Sequence, residues 1–131
     1  MFRAKRLDNG EWVEGFYVCL NGTEHMIYNG YAETDCGEFY ADYFQVDPET
    51  VCQFTGLTDK NGKKIFEGDI CKHRSNYSGD FIISVVTFTD GQFLVMADNN
   101  SGFNLSEKLE VIGNIHDNPE LMEGGEADET D

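Results

Sequence analysis

The stretch from Gln53 to His73 constrains the fold more than any other part of the chain. Asn61-Gly62 lies there between two apolar-containing runs. A two-residue hairpin turn needs positive φ, which asparagine and glycine tolerate. Gly68-Asp69 then breaks the run and starts Ile70-Cys71-Lys72. The pattern predicts strand, tight turn, short strand, second turn, strand. The same dipeptide signal recurs at Asn21-Gly22 and Asp90-Gly91, and Asp8-Asn9-Gly10 predicts a further turn. Many short strands joined this way predict a mainly β, antiparallel chain.

The remaining segments fit that frame. Met1 to Arg6 is a first strand holding much of the positive charge, and Glu11 to Leu20 a second. Trp12, Val13, Phe16, Val18 and Leu20 are its candidate core residues, and Gly15 marks a bulge. His25 to Tyr28 is a third strand. In Gly30 to Val46 the spacing of Phe39, Tyr40, Tyr43 and Phe44 suits a helix face, but the later part is expected to be a strand. Asp47-Pro48-Glu49-Thr50 has a cap residue followed by proline and predicts one helical turn. Asn118-Pro119 repeats that pattern. Phe81 to Phe88 is β-branched and expected to be buried on both faces. Gln92 to Met96 returns from it, Phe103 to Leu105 adds a short strand, and Glu110 to Ile115 closes the fold around Gly113.

The expected architecture is therefore antiparallel hairpins with a small Src-homology-3-like barrel in the second half and a smaller β subdomain in the first. One domain over 1–122 has an N-terminal β part, 1–50, and a barrel-like part, 51–117. Residues 123–131 contain only glycine, acids and small residues, and are expected to be a disordered tail. The length of 131 residues suits this size. Ten Phe and six Tyr provide the large rings that strands favour.

Charge narrows the partners. A net −16 with only nine Lys and Arg disfavours general binding to nucleic-acid backbones or anionic membranes. It favours solubility and repels polyanions. The longest nearly apolar run, Phe81 to Val86, is too short to span a bilayer. Arg3, Lys5 and Arg6 are not followed by the apolar region of a secretory signal, so a cytoplasmic location is expected. Four cysteines, Cys19, Cys36, Cys52 and Cys71, permit three pairings, but in that compartment they are read as reduced, buried thiols.

Four constellations contain residue types that can carry chemistry. Cys71-x-His73 puts two ligand types on one strand face. Zinc would need two more from Cys52, His25 or His116, and structural sites use close ligand pairs. A buried thiol beside a surface imidazole is the simpler reading. Asp59-x-Asn61 resembles the start of a calcium loop, but Lys63, Lys64 and Ile70 stand where a ligand, glycine and glutamate belong. Glu67 and Asp69 flank Gly68, where shaping a turn and capping N–H groups explains them better than acid/base work. Finally, Arg3, Lys5, Arg6, Lys60, Lys63, Lys64, Lys72 and Arg74 are the cations available for nucleic acid, clustered only from Lys60 to Arg74. Lysines there also serve to blunt a sheet edge. No catalytic, metal or cofactor residue is therefore expected, and no enzyme.

Thr55-Gly56-Leu57, Asp59-Lys60-Asn61-Gly62, Ile65-Phe66-Glu67-Gly68-Asp69-Ile70 and the closing run Val111 to Leu121 together resemble the YopX family. Phe2-Arg3-Ala4 also fits. The resemblance covers nearly the whole chain apart from the acidic tail. It implies a small protein of bacteriophages and prophages, mostly of Gram-positive bacteria, with a mainly β, partly barrel-like fold. It brings no catalytic residues and no established biochemical role. Phe66 stands where the family often has tyrosine, so a hydroxyl there is not essential to this chain.

The sequence thus points to a non-catalytic module that binds a host or phage protein, with self-association compatible. Two alternatives follow from charge: an acidic mimic of nucleic acid that occupies a basic groove in a host defence or replication enzyme, and a weak nucleic-acid binder working through Lys60 to Arg74.

Overall fold

The computed structural model describes residues 1–33, 39–74, 79–97, 102–106 and 108–122. The predicted tail, 123–131, and Cys36 lie outside them. The chain forms two compact units, Met1–Phe54 and Thr55–Asp131.

In the first unit β1 (Phe2–Lys5) lies between β2 (Trp12–Leu20) and the start of β5 (Cys52–Thr58). β3 (Glu24–Glu33) and β4 (Phe39–Gln45) continue outward from β2. The later part of 30–46 is thus the strand the sequence predicts. β2 changes partner along its length: Trp12 to Gly15 pair with β1, and Phe16 to Leu20 with β3. Alternation then decides the core. Phe2 and Ala4 oppose Gly15 and Val13, whereas Arg3 and Lys5 oppose Glu14 and Trp12. Ala4, Ile27 and Val46 form the buried cluster, flanked by Phe2, Val13, Tyr17 and Val51. Phe16 (69% exposed) and Leu20 (39%) are therefore not core residues as the sequence suggested; they lie on the alternation opposite to Val13 and Tyr17. Gly15 is a place of close approach, because a β-carbon there would fall on the Tyr28 carbonyl oxygen.

Pro48–Thr50 is the predicted helical turn, of 3-10 type, capped by Asp47, whose side chain accepts from the Glu49 N–H. The Thr50 hydroxyl donates to the Asp47 carbonyl and accepts from the Lys5 N–H at 2.8 Å, fixing the turn to β1.

The second unit contains the rest of β5, then β6 (Lys64–Phe66), β7 (Asp69–Arg74), β8 (Phe81–Thr89), β9 (Gln92–Ala97), β10 (Gly102–Asn104) and β11 (Glu110–Asn114). The end of β5 pairs with β6; the others form a five-stranded sheet ordered β10-β9-β8-β7-β11. The chain is mainly β and antiparallel, as the sequence predicts, but the Src-homology-3-like detail is not confirmed. Among the described residues the strands make two antiparallel sheets and no closed barrel. β10 and β11 stand at opposite edges of the five-stranded sheet, so the ring stays open. Ile65, Cys71, Val86, Val95, Leu109 and Val111 form the core, with Phe93, Phe103 and Leu105 against it.

The organising stretch folds as predicted, with one change of turn chemistry. Asp90 (φ 51) and Gly91 (φ 80) are both left-handed and make a two-residue hairpin between Thr89 and Gln92; Asn21 (φ 54) and Gly22 (φ 72) are left-handed too, but Leu20 pairs with Glu24, so that loop has three residues. At Asn61-Gly62 only Gly62 (φ 81) is left-handed. The Gly62 N–H donates to the Asp59 carbonyl, so the turn begins at Asp59 and Gly62 follows it. β8 also differs from expectation. Ser84 and Val86 are buried, whereas Ile83, Val85 and Thr87 on the other alternation are only half-buried and the rings near its two ends, Phe81 and Phe88, are about half exposed, so β8 is not buried on both faces.

The two sequence blocks of the resemblance are bonded to each other. The Lys60 N–H donates to the Leu109 carbonyl, Val111 N–H to Asp59 Oδ2 at 2.9 Å, and Ile115 N–H to the Gly68 carbonyl. Gly113 sits at a register shift in β11, pressed against Asn118 and Leu121. No helix among the described residues is long and apolar enough to cross a membrane.

Candidate functional site

The side chains singled out for chemistry are mostly committed to structure. Asp59, 4% exposed, accepts from three backbone N–H groups: Asn61 and Lys63 on Oδ1, Val111 on Oδ2. Burial by itself would raise its pKa and is the largest single influence, but those three N–H bonds and the nearby Lys63 outweigh it and hold the carboxyl below its usual range. Asp69, 1% exposed, accepts from the Phe66 N–H at 2.8 Å, the turn-shaping role read from the sequence. Phe66 itself is 2% exposed, which suits an apolar ring.

Cys71 is fully buried, and burial together with Asp69 and Asp59 pushes its thiol pKa up to about 12. The nucleophile is the thiolate, so this thiol is inert at neutral pH. His25 and Cys52 belong to the first unit, where the Tyr17 hydroxyl meets His25 Nδ1 and Cys52 Sγ donates to the Thr50 carbonyl. Among the described residues no group of three His, Cys, Asp or Glu is placed to hold a metal ion. Cys19 is exposed, whereas Cys52 and Cys71 are buried. A thiol reagent is therefore expected to modify Cys19 in the folded protein and to reach Cys52 and Cys71 only after denaturant is added. Mass spectrometry of the labelled peptides checks this.

The N-terminal cations are also engaged. The Arg3 guanidinium lies 4.7 Å from the Trp12 ring centroid and Lys5 Nζ 5.5 Å from it. Arg6 makes a two-point contact with Asp8, raising its own pKa and lowering that of Asp8. It also stacks on Phe44.

The second unit is different. Lys60, Lys72, Arg74 and Lys108 line one depression of about 1260 Å³. Lys72 and Arg74 project from β7, Lys60 lies in the turn that begins at Asp59, and Lys108 precedes β11. Its apolar lining includes Phe81, Ile82, Phe103 and Leu109. Phe81 is 54% exposed, with Lys72 Nζ 4.2 Å and the Arg74 guanidinium 4.5 Å from its ring centroid. Lys60 pairs with Glu110 at 3.5 Å. His73 meets Phe103 edge-on, and burial lowers its pKa, so at neutral pH it adds no charge.

Of the cations predicted from sequence, the depression gathers Lys60, Lys72 and Arg74 and leaves out Lys63 and Lys64. Sequence reasoning missed Lys108, which carries no local signal. Residues 55–131 hold 15 carboxylates against six cations, and four of those six line this surface. Among the described residues the lining thus carries four cations against one carboxylate, Glu110, the reverse of the unit's own balance.

Architecture and side chains together define a class: a small two-unit antiparallel β protein, acidic overall, with a cationic depression on its second unit. Its family follows from comparison. The chain belongs to the YopX family, described as YopX protein, which matches residues 1–123. It is similar to a solved structure, the crystal structure of protein EF1440 from Enterococcus faecalis. The two are 28% identical with a TM-score of 0.61, covering 92% of this chain and 96% of that one. No curated protein matches.

Proposed function

We propose that the protein is a phage- or prophage-derived, non-catalytic protein-binding module of the cytoplasm, and that the depression on its second unit is the contact surface. The observation that carries this reading is the gathering of four cations and the exposed Phe81 on one concave surface of a strongly acidic unit. Arg74 and Phe81 are of the types that interface centres favour, and the lysines supply charge complementarity to an acidic partner. Catalysis is disfavoured because Asp59 and Asp69 hold backbone N–H groups and Cys71 is sealed in the core.

The test compares the immobilised full chain with the Lys72→Glu/Arg74→Glu variant in host lysate with and without nuclease treatment. A protein retained by the first and depleted at least about tenfold by the second supports the reading. Equal retention by both removes the depression from the contact. Retention lost on nuclease treatment moves the function to nucleic acid, through Lys60 to Arg74. A basic enzyme held by the variant as well as by the parent favours the charge mimic instead.

A further inference from the structure

We infer that the depression takes a short carboxylate-rich peptide segment carrying one apolar side chain, presented by a partner protein. This rests on the depression being a contact surface and adds the chemistry of what fills it. Charge gives the first half of the argument. Among the described residues Lys72, Arg74 and Lys108 have no carboxylate partner, and only Lys60 is paired, with Glu110. Lys72 and Arg74 rest on Phe81 and Arg74 also donates to the Gly79 carbonyl, but none of the three charges is offset by a carboxylate, so each can meet an incoming anion. Arg offers a planar fork that suits a carboxylate, and Lys offers a point charge.

The surroundings decide between a short anion and a long one. Screening limits each charge to about 8 Å at physiological salt. A peptide with two or three carboxylates would sit within reach of the four cations. A nucleic-acid strand would run on past them over a unit that holds 15 carboxylates. The rings point the same way. Single-strand binders offer aromatic faces to bases. Here the Phe81 ring is already engaged by Lys72 and Arg74, and Phe103 is half-buried against the core in a T-shaped contact with His73. What remains beside the cations is an apolar lining of Ile82 and Leu109, which an aliphatic or aromatic side chain would cover.

The experiment uses the full chain and fluorescence anisotropy with three labelled probes: a Glu/Asp hexapeptide with a central Phe, an oligo-dT of equal charge, and a synthetic peptide of residues 123–131. The expected result is saturable binding of the Phe hexapeptide, weakened about tenfold by Lys72→Glu/Arg74→Glu and again by Lys108→Glu. Replacing its Phe with Gly is expected to weaken it several-fold. Tighter binding of oligo-dT overturns the inference in favour of nucleic acid. Tighter binding of the 123–131 peptide overturns it in favour of the chain's own acidic end. If the hexapeptide fails to bind while the lysate partner is still lost on charge reversal, the peptide inference falls and the contact surface stands. Circular dichroism of each variant, with a Lys63→Glu control outside the depression, separates lost binding from lost folding.

Discussion

Replacing Asp59 with alanine is expected to cost the second unit about 3–5 kcal/mol, the largest effect of any single side-chain truncation at the candidate residues. Both carboxylate oxygens are occupied: Oδ1 holds the Asn61 and Lys63 N–H groups, and Oδ2 the Val111 N–H at 2.9 Å. Alanine leaves all three without their acceptor. The Val111 bond matters most, since it is buried and joins residues 52 positions apart. Urea unfolding followed by circular dichroism is expected to show the midpoint falling by about 2 M. Asp59→Asn keeps one carbonyl acceptor and is expected to lose about half as much. The acid limb gives a second readout. The Asp59 pKa is depressed in the folded state, so its contribution is complete above the unfolded value of about 3.9 and is lost as pH falls through the folded value. The alanine variant is expected to lack that part of the acid destabilisation. A midpoint unchanged by the substitution would show that the carboxylate does not join the turn to β11.

Gly15→Ala is expected to be the most damaging change in the first unit, about 3 kcal/mol or more. Its β-carbon would fall on the Tyr28 carbonyl oxygen and lie 3.0 Å from Ile27 Cγ2. The obstacle is backbone, so no rotamer change relieves it, and β2 and β3 must separate where β2 changes partner. Trp12 is the single tryptophan and lies three residues away, so its fluorescence reports the loss. Gly10→Ala is the control. Gly10 (φ 74) has nothing within 4 Å of the added carbon, and its expected cost is only the left-handed penalty of about 1 kcal/mol. Equal losses at the two glycines would remove the close-approach argument.

These residues show which kinds of information the sequence carried. Asn21-Gly22 and Asp90-Gly91 announced their hairpins because positive φ is a property of two adjacent residues. Asp47-Pro48 announced its turn for a similarly local reason. Asp69 could be assigned to a turn from Gly68 beside it, and Asp59 from the Asn61-Gly62 pair that follows it. That Asp59 also holds Val111 could not, because nothing near either residue encodes the other. Phe16 was misplaced because β2 contains apolar residues on both alternations, and only pairing with β1 and β3 selects Val13 and Tyr17 for the core.

The chain's own residues settled that it would be a run of antiparallel β hairpins, with turn positions, ring supply and excess negative charge all written locally. Tertiary structure alone decided that β10 and β11 end at opposite edges instead of closing a barrel. It alone brought Lys108 beside Lys60, Lys72 and Arg74, making a cationic surface on an acidic unit. The physical reason is range. Turn preference and side-chain alternation act over two to four residues, whereas strand partnership and charge convergence depend on contacts between positions tens of residues apart.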